Sequence, residues 1–537
     1  ISSNTSIIEL QSASSFSSNT EFTIPMLELN GKALTLNNSS TKVTLSNPLT
    51  VSSEESINTQ SGSLTLNDTL TLQNNAKIES NAGSITFNAN VNLDNSSLIF
   101  TGGSVAFNSA SQISGGELKL YDTALILGAD VAMTNSTLRL KSTDLSGGTE
   151  KVNLAGGTLE FGGTFSDFDK INTDSGTVLI LNDNTNISSE QPMEIGGLEL
   201  NNFALTLGSE TTDLSILAAL KMESLGSQLI TNGADLNLPY LLELNAGQIT
   251  SSGGKITLTQ GAILDSSGSL DISGTKLELQ GDLAAENGTL ITSDTSVLNL
   301  IDDVTITFSG EKTFKTLENN GNNLTLGSEA TDLKILDPLE LSSVTLYTGF
   351  ANLNLQGELT LSSNSWLDST GGKLSISGTV DNTSGVTLVD TELALNSNLA
   401  ISGRLTSNGG NTLSPNNSEL NISGGLLMLA GDLELAGTIT DATTSLTLQS
   451  ESMLTSQDDW TYKFGTLDLN GSALTVTMGM IINDPLTLDN SGEQLLTGTS
   501  GLTLNDQLEL SAGKLSSQGG LISFGSTANL GTDGTIE

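Results

Sequence analysis

The sequence predicts an all-β fold: a single long parallel β-solenoid with about 20–21 residues and three short strands in each coil. Three observations lead to this prediction. Apolar residues alternate with polar ones in short bursts, the bursts recur at a fixed spacing, and aromatic residues make up only 4% of the 537-residue chain. Alternation with a period of two, interrupted by Gly and Asn-Gly, is typical of short strands and turns.

Two series of bursts define the coil. The leading apolar residues of the first series are separated by 21, 20 and 20 residues, and those of the second by 20, 21 and 21. The first series is Leu64, Ile85, Val105 and Leu125, and the second is Leu236, Ile256, Leu277 and Leu298. A strand of only a few residues cannot bury an apolar face alone. Equivalent strands of successive coils are therefore expected to stack in parallel about 4.8 Å apart. At this spacing the chain would form about 26 coils and a rod about 125 Å long.

The first series predicts two inward columns of side chains. One column consists of the four leading residues, and its neighbour consists of Leu66, Phe87, Phe107 and Leu127. A core built from such columns can be long and thin, so it needs few large aromatic residues. The low aromatic content is therefore consistent with the predicted architecture.

A longer self-similarity extends over several coils. Segment 27–36, LELNGKALTL, returns with changes at 198–207, 317–326 and 467–476. A bulky apolar residue lies three positions before each copy: Ile24, Ile195, Phe314 and Phe464. We therefore expect one continuous solenoid over 1–537, with super-repeats of approximately 24–194, 195–313, 314–463 and 464–537. The comparison also predicts strand and turn for 213–225, although its apolar spacing resembles that of a helix.

A string of antiparallel sandwich modules is the alternative fold. Asn-Gly pairs such as Asn30-Gly31, Asn287-Gly288 and Asn470-Gly471 are signals for hairpin turns. Sandwich cores commonly contain buried aromatic residues, whereas this chain has two Trp in all. The solenoid is therefore favoured, and the general rule for parallel crossovers predicts that it is right-handed.

Composition excludes several kinds of site and disfavours several partners. The chain has a formal charge of −42 and contains neither His nor Cys. Ser-His-Asp and Cys-His catalytic systems are therefore excluded, and so are the usual zinc sites, which need Cys or His ligands. The acidity disfavours binding to nucleic acid. No apolar run is long enough to span a bilayer, so we expect no direct membrane insertion within this segment. Because the chain starts at Ile1 and stops in strand-like sequence at Glu537, it is expected to be part of a longer or processed protein.

The repeated bursts carry a resemblance to known proteins. The chain resembles the right-handed parallel β-helix proteins of bacterial surfaces, including autotransporter passengers and filamentous-haemagglutinin-like adhesins. The resemblance is one of pattern and covers nearly the whole length. It implies an extracellular location at the bacterial cell surface and a role in adhesion.

Many enzymes that act on polysaccharides also have a β-helix fold, so the sequence was searched for their motifs. Asn172-Thr173-Asp174 matches the first element of the polygalacturonase site, and Gln457-Asp458-Asp459 resembles the second. The third element requires His, which the chain lacks. Lyases of this fold use Arg or Lys near the abstracted proton, but the only two Arg residues, Arg139 and Arg404, are expected to be solvated edge charges. We therefore expect that the protein is not an enzyme.

Paired carboxylates such as Asp302-Asp303 and Asp458-Asp459 are also poor candidates for catalysis. Adjacent residues on a strand point to opposite faces, so neither pair forms a general acid and base dyad. At a turn these carboxylates suit Ca²⁺, but their spacing is not that of a dedicated calcium loop. We expect no cofactor and no specific metal site, only weak and non-specific Ca²⁺ binding.

Aromatic residues supply the candidates for a binding surface. Trp460, Tyr462 and Phe464 share one face of a strand, a geometry suited to stacking on sugar rings. Phe464 also aligns with an inward column, so the alternative is an aromatic plug inside a wide coil. Trp366 is predicted to lie at a coil corner and is the better isolated candidate. The candidate residues for contact with a glycan are therefore Trp366, Trp460 and Tyr462.

Together these features predict a non-enzymatic extracellular rod, the stalk or shaft of a bacterial surface adhesin or a similar cell-surface fibre. Its partners would be glycans or another cell surface. The first alternative is a self-assembling filament or surface-layer subunit, because exposed coil ends are open β edges that favour end-to-end association. The second alternative is a polysaccharide-active enzyme on a β-helix scaffold.

Overall fold

The protein is a parallel β-solenoid, as the sequence predicts. The computed structural model describes residues 6–537 except 166–167, 363, 378–379, 383–384, 390–391, 396–398, 401–403, 409–410, 415–419, 423, 436–437 and 457–460. Over these residues the chain forms mostly short strands and no α-helix, with one 3₁₀ turn at Phe168–Lys170; the longest strand, Val152–Phe165, has 14 residues. The strands stack in parallel as about 24 turns, close to the 26 coils expected from the repeat length.

The chain divides into two compact units. Unit 1 comprises residues 1–260 and 266–271, and unit 2 comprises residues 261–265 and 272–537. This division does not coincide with the boundaries of the four super-repeats. Those boundaries and the right-handed winding stay predictions.

A seven-stranded parallel sheet in unit 1 contains the first series of bursts. In sheet order its strands are Phe22–Ile24, Lys42–Leu45, Ser63–Leu66, Ser84–Phe87, Ser104–Phe107, Ala124–Leu127 and Asp144–Gly147. Ile85 is in register with Leu64 on one side and Val105 on the other, and Val105 pairs with Leu125. All four side chains are at most 1% exposed. The predicted inward column is therefore confirmed.

A second run of parallel strands in unit 1 carries a row of charged side chains on its outer face. The consecutive strands are Lys77–Asn81, Ser97–Thr101, Glu117–Tyr121, Val131–Lys141, Val152–Phe165 and Thr177–Ile187. Lys119, Arg139 and Glu160 are successive partners across three of these strands. Their neighbours Leu118, Leu138 and Leu159 are fully buried. The alternation therefore separates an apolar inner face from a polar outer face, as expected for strands with one buried side.

The longest sheet confined to unit 2 has twelve parallel strands. In sheet order they are Lys312–Phe314, Leu333–Ile335, Leu353–Leu355, Lys373–Ile376, Glu392–Leu395, Asn411–Ser414, Leu433–Leu435, Ser452–Ser456, Ala473–Val476, Gln494–Thr497, Lys514–Ser517 and Thr535–Ile536. In each unit the second series of bursts also pairs as predicted, Leu236 with Ile256 in unit 1 and Leu277 with Leu298 in unit 2.

Another run of strands in unit 2 contains Trp366. The strands are Val304–Phe308, Leu324–Leu326, Thr345–Gly349, Trp366–Thr370, Gly385–Val389, Arg404–Asn408 and Leu426–Ala430. Each strand pairs in parallel with the next. Leu367 and Ser369 are fully buried, so Trp366 and Asp368 lie on the outer face of this sheet.

Buried hydroxyl groups close the corners between strands. Ser296 donates to the carbonyl of Ile272 at 2.8 Å, and Ser365 donates to the carbonyl of Leu341 at 2.7 Å. Both serines are fully buried, and each bond reaches back 24 residues, to the preceding coil. A buried carbonyl without a partner would destabilise the fold, so the Ser and Thr residues before the strands satisfy the backbone where the chain turns.

The super-repeat corresponds to a repeated local structure. In each copy the bulky residue ends a strand, a second short strand follows, and the next corner contains an Asn with a left-handed backbone. The φ angles are 50° at Asn30, 51° at Asn201, 50° at Asn320 and 46° at Asn470. The Asn30-Gly31 turn does not form a hairpin, because the strands on either side of it pair in parallel with Ile7–Glu9 and Ser14–Phe16. The strands Leu214–Ile216 and Leu220–Met222 likewise confirm strand and turn for 213–225.

Candidate functional site

Trp366 lies on the outer surface of unit 2. It is the first residue of the strand Trp366–Thr370 and follows a corner at which Asn364 has a φ of 62°. The indole is half-buried, although the outer face of a strand is normally open to solvent. A neighbouring side chain must therefore cover part of the ring.

Arg404 covers the indole. Trp366, Gly385 and Arg404 are successive partners across three strands. The glycine between them adds no side chain, which leaves room for the two large side chains to meet above it. The guanidinium carbon of Arg404 lies 4.2 Å from the ring centroid of Trp366, well within the range of a cation–π interaction. Arg404 is therefore not a solvated edge charge, which corrects the prediction from the sequence.

The polar atoms around this pair are incompletely satisfied. Nη1 of Arg404 lies 3.9 Å from the sulfur of Met428, a weak acceptor, and Nε of Arg404 is buried without a hydrogen-bond partner. Thr406 lies two residues further along the same strand, is 7% exposed, and its hydroxyl also lacks a partner. Over the described part of the chain, no carboxylate lies within ion-pair distance of Arg404.

Further aromatic and acidic groups lie on the neighbouring strands. Tyr347 is 42% exposed and is the direct partner of Asp368 on the adjacent strand. Burial raises the pKa of Asp368 above its usual value. A cavity of about 190 Å³ lies beside Tyr347, and it is lined by Asp303, Val304, Thr305, Asn323, Thr325 and Tyr347. The outer face of this sheet thus combines two aromatic rings, an unpaired cation and a small polar cavity.

At this cavity Asp303, the second residue of the pair Asp302-Asp303, accepts a hydrogen bond from the main chain. Its carboxylate accepts hydrogen bonds from the main-chain N–H of Asn323 at 2.7 Å and from the Asn323 side chain at 2.9 Å. These bonds hold the pKa of Asp303 below its usual range. The N–H of Asp303 in turn donates to Asp302. The pair therefore stabilises a turn and its link to the next coil.

The described part of the aromatic cluster, residues 461–464, does not have the exposed rings that glycan binding requires. Tyr462 is 1% exposed and Phe464 is fully buried, both on the inner face of the strand Thr461–Phe464. Tyr462 therefore has no exposed face for a sugar, which corrects its selection as a surface residue and supports the alternative of an aromatic plug. Trp460 lies outside the described residues.

Arg139, the second arginine, belongs to a charge network on unit 1 that neutralises its charge, although its Nε, like that of Arg404, is buried without a hydrogen-bond partner. It forms an ion pair with Glu160 at 2.5 Å, and Glu160 also accepts a hydrogen bond from Asn182 at 2.8 Å. Hydrogen bonding to Glu160 raises the pKa of Arg139 further above its already high value. Arg139 is thus also more than a solvated edge charge, because its partners lie on the neighbouring coils.

Asp174, the last residue of the match to a polygalacturonase element, stabilises a turn. Asp174 accepts hydrogen bonds from the N–H of Gly156 at 2.9 Å, from the N–H of Gly176 at 3.0 Å and from the hydroxyl of Thr177 at 2.9 Å. The bond from Gly156 is the main reason that the pKa of Asp174 lies below its usual range. Asn172 and Thr173 line a separate cavity of about 160 Å³. Residues 457–459, which resemble the second element, lie outside the described residues.

Two kinds of feature are absent from the part of the chain that the structure describes. It contains no group of three or more acidic residues placed to hold a metal ion. No helix in it is long and apolar enough to cross a membrane. Both findings apply to the described residues alone.

Sequence reasoning missed the pairing of Trp366 with Arg404. The two residues are 38 positions apart, which is two coils of 19 residues, whereas the bursts that define the repeat have spacings of 20 and 21. The available signal was the spacing itself, because two coil lengths separate residues that lie above one another. Residues one coil length apart also lie above one another, so the spacing of 21 residues between Arg139 and Glu160 could have predicted their contact.

The fold and these surfaces define a repeat protein of the parallel β-solenoid class. No family model matches the chain, and no curated protein matches it.

Proposed function

We propose that the protein is a non-enzymatic structural shaft, part of a bacterial surface adhesin or a similar extracellular fibre. The main support is the fold, in which about 24 turns stack in parallel. Each coil rests on its neighbours, so such a stack can be lengthened by adding coils. A fold of this kind suits a protein that supports another part at a distance.

The structural roles of the polar residues that resemble catalytic groups support a non-enzymatic function. Asp174 and Asp303, which belong to the motifs closest to catalytic ones, accept backbone hydrogen bonds at turns. Those bonds stabilise the charged form and lower the pKa of each carboxylate, whereas a general acid needs a pKa near the working pH. Arg139 is paired with Glu160, so its charge is already neutralised.

Negative-stain electron microscopy of the purified chain tests the shaft. The repeat length in the sequence predicts isolated rods about 125 Å long. Separate beads on a flexible thread would contradict the proposal. Indefinite fibres with a constant axial repeat would replace it with a self-assembling filament.

Two other experiments test the remaining parts of the proposal. Antibodies against the chain should label intact cells, and protease added outside those cells should remove the label. Absence of labelling on intact cells, with labelling after permeabilisation, would overturn the extracellular location. Measurable turnover of any acidic polysaccharide in a panel would overturn the non-enzymatic role.

A further inference from the structure

The strands around Arg404 form an unusual surface in this acidic protein. The five strands at 345–349, 366–370, 385–389, 404–408 and 426–430 contain only two charged residues, Asp368 and Arg404. The chain as a whole carries a formal charge of −42. This outer face is therefore locally neutral and partly aromatic. Acidic groups more than about 8 Å away affect it weakly, because that is the screening length at physiological salt.

Arg404 is positioned but not neutralised. Its guanidinium is held against the indole of Trp366 with 4.2 Å between the guanidinium carbon and the ring centroid. Its Nε is buried without a partner, and no carboxylate pairs with it over the described residues. Leaving a buried donor unsatisfied destabilises the protein, so an acceptor delivered by a ligand would remove a penalty that the free protein carries.

A second unsatisfied group lies beside it. The hydroxyl of Thr406 lacks a partner although the residue is 7% exposed, and Thr406 follows Arg404 on the same outer face. The hydroxyl can donate or accept, whereas Arg404 can only donate. A ligand that satisfies both groups needs an anionic acceptor and neighbouring hydroxyl groups. A sugar ring bearing a carboxylate has both.

Aromatic side chains extend the surface away from Arg404. Trp366 lies two strands from Arg404, and Tyr347, which is 42% exposed, lies on the next strand beyond Trp366. The three strand intervals between Tyr347 and Arg404 span about 14 Å. Aromatic rings contact the apolar faces of sugar rings, and a distance of this size accommodates more than one ring.

We infer that the outer face of unit 2 from Tyr347 to Arg404 is a binding site for an acidic oligosaccharide, with Arg404 receiving a uronate carboxylate. Thr406 hydrogen-bonds the same sugar, and Trp366 holds the guanidinium in place while Tyr347 contacts the neighbouring ring. This site goes beyond the shaft function and does not depend on it. Failure to bind a glycan would leave the microscopy result unaffected.

Isothermal titration calorimetry at physiological salt tests the inference. The ligands are oligomers of galacturonate, mannuronate and hyaluronate, tested on the whole 537-residue chain. At least one of the three should bind. Fully methyl-esterified oligogalacturonate, which keeps the sugar chain but lacks the charge, should bind at least about tenfold more weakly than the free acid if galacturonate is the ligand. Polyglutamate, which has carboxylates without sugar rings, should also bind more weakly.

Substitutions at the two arginines locate the site. Arg404→Gln should weaken binding by at least about tenfold, because one charge-assisted hydrogen bond is lost. Arg139→Gln is the matched control, since it removes the other arginine of the chain and should leave the affinity unchanged. Arg404→Lys keeps the charge but lacks the planar fork, so intermediate binding is expected.

Indole fluorescence provides a readout that does not need a folded Arg404 variant. In a Trp460→Phe background Trp366 is the only remaining Trp, and its emission should change with the same saturation curve as the heat signal. The inference is overturned if none of the three acidic oligosaccharides binds, if the esterified or polyglutamate probe binds as tightly, or if Arg404→Gln and Arg139→Gln bind alike. Saturable binding without any change in Trp366 emission would also overturn it.

Discussion

Phe87 and Phe107 lie one above the other in neighbouring coils, with ring centroids 5.0 Å apart and ring planes inclined by 27°. They are direct partners in the seven-stranded sheet of unit 1, and both are fully buried. The stacked pair shows how the stability of a solenoid depends on contacts between coils, because each ring packs against the same position in the adjacent coil.

Replacing Phe107 with Ala should therefore destabilise unit 1 locally. The expected loss in the free energy of unfolding is about 3–5 kcal/mol, from the lost burial and the cavity left behind. Ile126→Ala is the matched control, because Ile126 is 41% exposed in the neighbouring strand and should cost much less. Thermal melting together with hydrogen exchange in the strands at 84–87 and 124–127 measures the effect. Equal losses for the two variants would contradict the inward assignment of Phe107.

A buried charge should open the stack more severely. Val105→Asp in unit 1 and Leu277→Asp in unit 2 each place a carboxylate in a fully buried column. Because the buried charge has no partner, we expect a lower melting temperature and new protease cleavage near the substituted coil. Ala106→Asp puts the same charge on the outer face of the same strand and should leave both measurements nearly unchanged. Wild-type protease resistance in Val105→Asp would refute the column.

The inward columns could be predicted from sequence because they depend on local alternation and on a constant coil length. Ile24, Ile195, Phe314 and Phe464 are each at most 1% exposed, as their alignment predicted. The same alignment could also have predicted that Tyr462 faces inward. With Phe464 facing inward, a period of two places Tyr462 inward as well.

The surface was harder to predict, because it depends on which residues meet across coils. A change of one residue in the length of a coil alters which outer side chains lie above one another. Coil spacings of 19 place Arg404 above Trp366, with Gly385 between them, whereas spacings of 20 or 21 would not. The sequence therefore identified Trp366 as a candidate but not the cation that covers it.

The ion pair between Arg139 and Glu160 should make the stability of unit 1 depend on pH. Burial alone would raise the pKa of Glu160, but hydrogen bonds from Arg139 and Asn182 and the nearby positive charge outweigh it, so the pKa is lowered. A lowered pKa stabilises the fold at pH values above that of a free glutamate, about 4.3. This contribution disappears as the pH falls through the folded-state pKa.

Unfolding measured between pH 7 and pH 2 for wild type and Glu160→Gln isolates this contribution. The variant should be less stable than wild type at neutral pH, and the difference should shrink as the pH falls below about 4.3. Glu190→Gln, which alters an exposed glutamate of the same unit, controls for the general loss of negative charge. A difference between wild type and Glu160→Gln that stays constant over this pH range would contradict the assigned role.

Asn470 should stabilise its corner in two separable ways. Its φ of 46° is a left-handed conformation that Asn tolerates better than most residues, and its side chain donates to the carbonyl of Leu448 in the preceding coil at 3.2 Å. Asn470→Gly keeps the backbone conformation but loses the hydrogen bond, so a cost of about 1 kcal/mol is expected. Asn470→Ala loses both and should cost about 2–3 kcal/mol.

The order of the two variants at Asn470 is the informative result, since the glycine variant serves as the control for the alanine variant. Chemical denaturation monitored by the burial of Tyr462, which lies on the second strand before this corner, reports on the region directly. If the alanine variant were as stable as the glycine variant, the left-handed backbone would contribute nothing. If both matched wild type, the hydrogen bond to Leu448 would contribute nothing either. The ordering wild type, glycine, alanine would instead show that a corner Asn joins adjacent coils and also turns the chain.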